Sequence, residues 1–174
     1  MLKKIAVIYK SKYGTTKRYA EWISEALNAT LFESANIKPH QLNDFDVVIY
    51  GGGLYAGRIN GVKLVTKNPC KKLALFTVGV ADPKDTDYTE ILGNTLTPEQ
   101  ISNTTVFHLR GGILYSKLSL VHKGLMVVMK KSIEKKPVAE RDSDGVGILE
   151  TYGKDIDFSD KTSIEPIIQY VRAL

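Results

Sequence analysis

The short apolar run Ile5-Ala6-Val7-Ile8 empties into Tyr9-Lys10-Ser11-Lys12-Tyr13-Gly14-Thr15-Thr16-Lys17-Arg18, and this stretch holds the residue types best suited to chemistry. A strand that ends in a loop of hydroxyls and glycine, and then enters a helix, aims several free backbone N–H groups at one point. The helix dipole adds its positive end there. Ser11, Thr15 and Thr16 can each donate a hydroxyl, and Gly14 lets the backbone come close. Such a loop captures a phosphate group. Taken alone, the same residues also describe an ordinary strand-to-helix turn with Thr15 or Thr16 as N-cap, so the rest of the chain has to decide.

The elements that would position this loop are legible in the apolar pattern. Residues 5–9, 47–50, 73–78 and 105–109 are short runs rich in β-branched and aromatic side chains, without alternation, as in strands buried on both faces of a parallel sheet. A weaker run at 30–34 predicts another strand, second in chain order, with Asn43-Asp44 as a turn before the third. Tyr19, Ile23, Ala26 and Leu27, with Trp22 alongside, recur at helical spacing and end near Asn28. Strands alternating with helices predict an open α/β sheet with right-handed crossovers, whose ligands sit beyond the carboxyl ends of the strands.

Three further segments fall at those ends. They are the glycine-dense residues 51–61, which carry Tyr55, then residues 77–83, and residues 110–115. Glycines at three strand ends bring backbone close to something flat or bulky and leave main-chain groups free for its polar edge. Tight turns alone would explain one such loop, but poorly three.

Composition narrows the class. The chain has 174 residues, enough for one domain with a substantial core, and 43% hydrophobic against 25% charged residues is a soluble globular balance. A net charge of +5 favours anionic partners such as phosphates, acidic proteins or anionic lipid. The lone Cys70 cannot form an internal disulfide, and beside Pro69 it is a poor candidate for a catalytic thiol. No targeting pattern and no membrane-spanning run is visible, so a cytoplasmic location is expected, and a nucleic-acid partner is not. His40, His108 and His122 lack metal-ligand spacing. Asp142-Ser143-Asp144-Gly145 lacks the later ligands of a calcium loop and is expected to be a surface turn. The first loop has no G-x-G-x-x-G for a nicotinamide dinucleotide and no acidic cluster for a phosphoacceptor site.

Residues 116–136 form a helical pattern interrupted only by Gly124. Leu118, Val121, Leu125, Val128, Met129 and Ile133 share one face, expected to pack on the sheet or cover the cleft. Leu120 and Val127 project on the other side, among Lys123, Lys130 and Lys131. That surface suits a helix on anionic lipid or a lid over an anionic substrate, and it also describes a core helix with a solvated basic face. Residues 137–160 are polar, with 155–158 as a short edge strand or an extended lead-in. Ser159 or Asp160 then caps a final helix that packs through Ile164, Ile167, Ile168 and Val171, with Pro166 in its first turn.

In these loops the chain resembles the flavodoxin-like fold and, more narrowly, the flavodoxin-domain branch of the menaquinone-dependent protoporphyrinogen IX dehydrogenases. The resemblance implies a three-layer sandwich with a five-stranded parallel sheet in order 2-1-3-4-5, helices on both faces and an extra cationic helix after the fifth strand. It implies FMN as cofactor. Ser11, Lys12, Tyr13, Gly14, Thr15 and Thr16 would wrap the phosphate. Gly52, Gly53, Leu54, Tyr55, Ala56 and Gly57, then Thr77, Val78, Gly79 and Val80, then Arg110, Gly111 and Gly112, would flank the ring. Tyr55 or Leu54 would lie on one ring face, and backbone near Gly79 and Gly111 would meet its edge. Gly52, Gly53 and Gly57 are places for a carbonyl that responds to the flavin's redox state.

The chemistry would then be the flavin's, with no side chain assigned as catalytic. Asp82 and Arg110 are candidates for polarising a substrate, and Asp82 equally starts an Asp-Pro turn. The implied function is an oxidoreductase of heme biosynthesis that passes electrons to a quinone or redox partner. Its substrate would be an anionic small molecule, and residues 116–136 would touch the membrane peripherally. The alternatives are a flavodoxin-type electron carrier and a domain that kept the fold without the flavin. The estimated pI of about 9.1 argues against a soluble shuttle that docks on basic partners.

Overall fold

The computed structural model describes residues 3–55, 57–141 and 143–174. Its strands are β1 (Ile5–Lys10), β2 (Thr30–Glu33), β3 (Val47–Tyr55), β4 (Arg58–Ile59), β5 (Leu73–Gly79), β6 (Thr105–Arg110), β7 (Gly112–Leu114) and β8 (Asp155–Asp157). The α-helices are α1 (Thr15–Leu27), α2 (Lys63–Thr66), α3 (Thr89–Gly93), α4 (Pro98–Asn103), α5 (Leu120–Glu134), α6 (Ser143–Thr151) and α7 (Glu165–Ala173). Five strands pair in parallel in the order β2-β1-β3-β5-β6, and β4 folds back antiparallel on the end of β3. Leaving out β4, this is the 2-1-3-4-5 order of a flavodoxin-like sheet, with its switch point between β1 and β3.

The unalternating apolar runs bury both ways. Val7, Ile49, Ala74 and Phe76 face one layer, with Tyr19, Ala20 and Ile23 of α1 and Ile167, Ile168 and Val171 of α7. Ala6, Ile8, Val48, Tyr50 and Leu75 face the other, under Leu42 of a 3₁₀ turn (Pro39–Asp44), Val62, Val65, Ile91 and Leu96. Each fully buried aliphatic side chain contributes about 1.5–3 kcal/mol. α1 ends where expected, at Asn28 in the left-handed region (φ 50), and the Ala29 N–H bonds back to Ser24 O at 2.9 Å. Asp160 accepts from the Thr162 N–H at 2.9 Å and opens the turn that leads into α7. The Tyr19 hydroxyl ties these layers together, donating to Arg110 O at 2.6 Å and accepting from the Asp160 N–H at 3.0 Å.

Three expectations are corrected. First, β3 does not stop at Tyr50 but runs to Tyr55, so Gly51, Gly52 and Gly53 are strand rather than loop. The ring of Phe76 from β5 occupies the place of a Gly51 side chain, so the missing Cβ there serves close strand packing. Second, residues 137–160 are not simply a polar connection. They form α6 and β8, and β8 pairs antiparallel with β7, placing Gly112 opposite Asp157. Backbone of Ile156 and Asp157 fills the space beside Gly112. Ser143 opens α6, so the calcium-loop-like segment is a helix start rather than a surface turn, and Asp142 itself lies outside the described residues.

The third correction concerns α5. Val121, Leu125 and Val128, expected to pack on the sheet or cover the cleft, are 73%, 54% and 65% exposed. Of the expected packing face, Leu118 is buried just before the helix and Ile133 is half-buried. The helix is seated by its polar side instead. The Lys130 ammonium lies 4.5 Å from the Tyr152 ring centre and the Lys123 ammonium 6.0 Å from that of Tyr115, where cation–π attraction substitutes for apolar burial.

Candidate functional site

The loop after β1 is built by a glycine. Gly14 takes φ 97 and is itself the N-cap of α1, and its N–H donates to Ser11 Oγ at 3.0 Å. Thr15 and Thr16 are therefore the first helical residues and not caps. The first intrahelical bond runs from Arg18 N–H to Gly14 O at 3.0 Å, no side chain caps the amides before it, and the first turn holds no acid. A side chain at Gly14 would meet nothing within 4 Å. The result is a positive helix end, open on the Gly14 side and flanked by hydroxyls.

Other strand ends converge on it. The Thr15 methyl lies 3.1 Å from where a Gly111 Cβ would stand, and the buried Thr16 places Oγ1 3.4 Å from the equivalent point of Gly53. Gly111 N–H donates to Gly79 O at 2.6 Å, and Leu54 Cδ1 lies 3.1 Å from the Cβ place of Gly79. The ends of β1, β3, β5 and β6 thus meet at one edge of the sheet.

The remaining candidates sort by what they touch. Tyr55, at the tip of β3, keeps its phenol proton, because burial raises its pKa to about 12 with Tyr13 adding to the effect. Gly57 holds φ 70 in the turn to β4, whereas the Gly53 carbonyl accepts from Asn60 N–H at 3.0 Å and Gly52 is a ladder residue. Ala56 lies outside the described residues.

Thr77 turns its hydroxyl inward, 2.6 Å from His108 Nδ1, and the His108 ring stacks on Tyr88 with centroids 3.5 Å apart. Burial holds that imidazole neutral, with its pKa lowered to about 4. Val78 fills the space beside Gly111. Val80 O accepts from Arg110 Nε at 3.1 Å, the Arg110 guanidinium lies 3.6 Å from Asp82, and it rests 3.8 Å over the Phe158 ring. Arg110 and Asp82 are therefore engaged with each other. Asp82 also organises its turn, accepting from Lys84 N–H at 3.0 Å and Thr86 Oγ1 at 2.7 Å.

Sequence reasoning missed what the segment after β7 brings to this edge. Gly147 of α6 stands against Ala81, 3.7 Å from its Cα to the Cβ place of the glycine. His122 of α5 bonds Tyr13 OH through Nδ1, lies 3.1 Å from Lys12 Nζ through Nε2, and sets its ring 6.0 Å from that of Tyr55. The only advance signal was Ser119, whose hydroxyl accepts from His122 N–H at 3.3 Å and so fixes the imidazole in the first turn. Cys70 lies elsewhere, its thiol pushed up to about 11 by burial, which makes it unreactive. Among the described residues no group of three or more His, Cys, Asp or Glu gathers as metal ligands would.

No curated protein sequence matches the chain. Solved structures resemble it in part. A flavodoxin from the domain Archaea is 18% identical, with 62% of this chain and 85% of that one covered at a TM-score of 0.42. A flavodoxin, WrbA-like protein from Agrobacterium tumefaciens is 22% identical over 60% and 82% of the two chains (TM-score 0.41). A flavoprotein from Lactobacillus acidophilus NCFM, solved in complex with FMN, is 16% identical over 62% and 92% (TM-score 0.42). The profile of the flavodoxin domain matches residues 6–139. That match runs from β1 to just beyond α5 and takes in each of the converging strand ends, and so the chain belongs to the flavodoxin domain family.

Proposed function

We propose that the protein holds FMN across the ends of β1, β3, β5 and β6 and exchanges electrons through it with a quinone-class partner at a membrane surface. The observation that carries the cofactor is the α1 N-terminus, which has no side-chain cap and no acid, opens on the Gly14 side and is ringed by Ser11, Thr15 and Thr16. That donor set fits a phosphate monoester. Bound FMN supplies one- and two-electron redox chemistry. The chain's own residues bind and orient it: the loop hydroxyls and amides hold the phosphate, and Leu54 and the neutral Tyr55 stand where the ring would lie. The Gly57 peptide offers a carbonyl free of the strand ladder. Gly147 of α6 stands against Ala81, and Arg110 rests over the Phe158 ring, beside that edge.

The partner is argued from α5. Leu120, Val121, Leu125 and Val128 point outward, beside the exposed Lys131, Lys135 and Lys136. An apolar arc edged with lysine suits the interface of an anionic bilayer. No helix among the described residues is long and apolar enough to cross a membrane, so the contact is peripheral. The family resemblance makes protoporphyrinogen the substrate to try first. A second reading, an electron carrier with no substrate of its own, is favoured by one observation: Arg110 and Asp82 are tied to each other rather than presented to a ligand.

The absorbance spectrum of the purified protein, with FMN released by acid, tests the cofactor. Anaerobic reduction followed by menaquinone analogues and protoporphyrinogen tests the activity, with turnover expected. Turnover with neither leaves the carrier reading. Salt-sensitive sedimentation with anionic liposomes is expected, and its absence at low salt removes the membrane.

A further inference from the structure

The contact between α5 and the loop after β1 is chemically unusual. His122 meets Lys12 through Nε2 and Tyr13 through Nδ1. An ammonium can only donate, so Nε2 presents its lone pair to Lys12, and Nδ1 carries the proton that goes to the Tyr13 oxygen. The imidazole in this arrangement is neutral. The groups facing it are Lys12 and Tyr13 from the loop and Tyr55 from β3, and among the described residues neither Lys12 nor His122 pairs with a carboxylate. A lysine that spends its charge on an imidazole, with no counter-ion and next to an uncapped helix end, lacks an anion.

We infer that His122 is a phosphate ligand supplied by the inserted helix, which takes up a proton as the phosphate binds and so makes cofactor affinity depend on pH. The inference rests on the FMN reading of this site. When a phosphate monoester dianion occupies the loop, the Lys12 ammonium turns to it. Nε2 is then free to accept a proton from solvent, and the resulting imidazolium donates to a phosphate oxygen while Nδ1–H stays on Tyr13. One proton is bound per phosphate and no covalent bond changes. A charge-assisted bond of this kind is worth about tenfold in affinity. It also fastens α5 to the loaded protein, so that the helix closes on the cofactor it helps to hold.

The test titrates the flavin-free full-length protein with FMN and, separately, with riboflavin, which has the same ring and no phosphate, following flavin fluorescence. Wild type and His122→Gln are compared between about pH 5 and 8, where imidazoles change charge. The expected result has three parts. The ratio of wild-type to variant FMN affinity, in which the phosphate's own ionisation at about pH 6 cancels, is about tenfold at the acidic end. That ratio falls towards one as pH rises across the range. Riboflavin affinity is the same for both proteins at every pH, which also shows that the variant is folded. Equal FMN affinity in the two proteins, or a ratio that does not change with pH, overturns the inference while leaving the FMN reading intact. Failure of wild type to bind either flavin overturns both.

Discussion

Two helices that follow the main sheet's last strand, α5 and α7, carry apolar residues at helical spacing and come to opposite ends. α7 buries Ile167, Ile168 and Val171, each at 2% exposure or less, whereas α5 leaves Val121 and Val128 more than half exposed. The difference is one of address. α7 is delivered by the Asp160 cap and the Tyr19 hydroxyl onto the open face beside α1. α5 begins beyond β7, past the edge of the sheet, where one face is covered by α1 and α7 and the other by α2, α3 and the 3₁₀ turn at Pro39–Asp44. With no face left, its cations and His122 turn inward onto aromatic rings and its apolar arc turns out. Periodicity shows that a helix has an apolar face, and the connection decides what covers it.

Substitutions on the packed and the exposed sides test the difference between the two helices. Ile168→Ala should lower stability to urea by about 2–5 kcal/mol, because a close-packed site only partly collapses around the cavity. A loss below that range would mean that α7 is not the packed helix. Thr15→Val should weaken FMN binding by about 1–3 kcal/mol through a lost hydroxyl bond to a charged group. Unchanged affinity would make the loop a turn and nothing more.

Acid should act on the packed side through His108. The unfolded chain binds a proton below the ordinary imidazole value of 6.5, but the folded chain does so only near 4, so stability should fall as pH drops through that interval. His108→Phe should flatten the dependence in thermal melts, and an unaltered slope would move the effect elsewhere. The smallest effect belongs to α5: Val128→Ala should change stability by less than about 0.5 kcal/mol. A cost like that of Ile168→Ala would mean that the arc is packed in solution and the two helices are alike.

Much of this architecture is written locally. The main strands and the final helix follow from short apolar runs and caps, which act within a few residues of where they are read, whereas the strand order was implied only by the resemblance to the flavodoxin-like fold. The loop at residues 11–16 was legible for the same reason, though its cap proved to be Gly14, since a φ of 97 suits glycine and no threonine. What could not be read depends on contacts far apart in the chain. The glycines at 51–53 look like a loop until Phe76 is seen to need the space. His122 looks idle until folding brings it to Lys12 and Tyr13, more than a hundred residues earlier. Asp157 and Arg18, which pair across the molecule, gave no local sign of each other.

The pairing of β7 with β8 has one more consequence. It joins the two ends of the excursion at a single point, and neither core cluster takes a side chain from the chain between Leu109 and Ile164. The excursion is therefore a detachable cassette: replacing residues 115–154 with a tight hairpin turn should leave the melting midpoint of the remaining scaffold nearly unchanged, and scanning calorimetry would read it directly. Loop length carries only a slowly growing entropic cost, so a graft of different length or charge could be spliced at the same two strands and retarget the scaffold without rebuilding it.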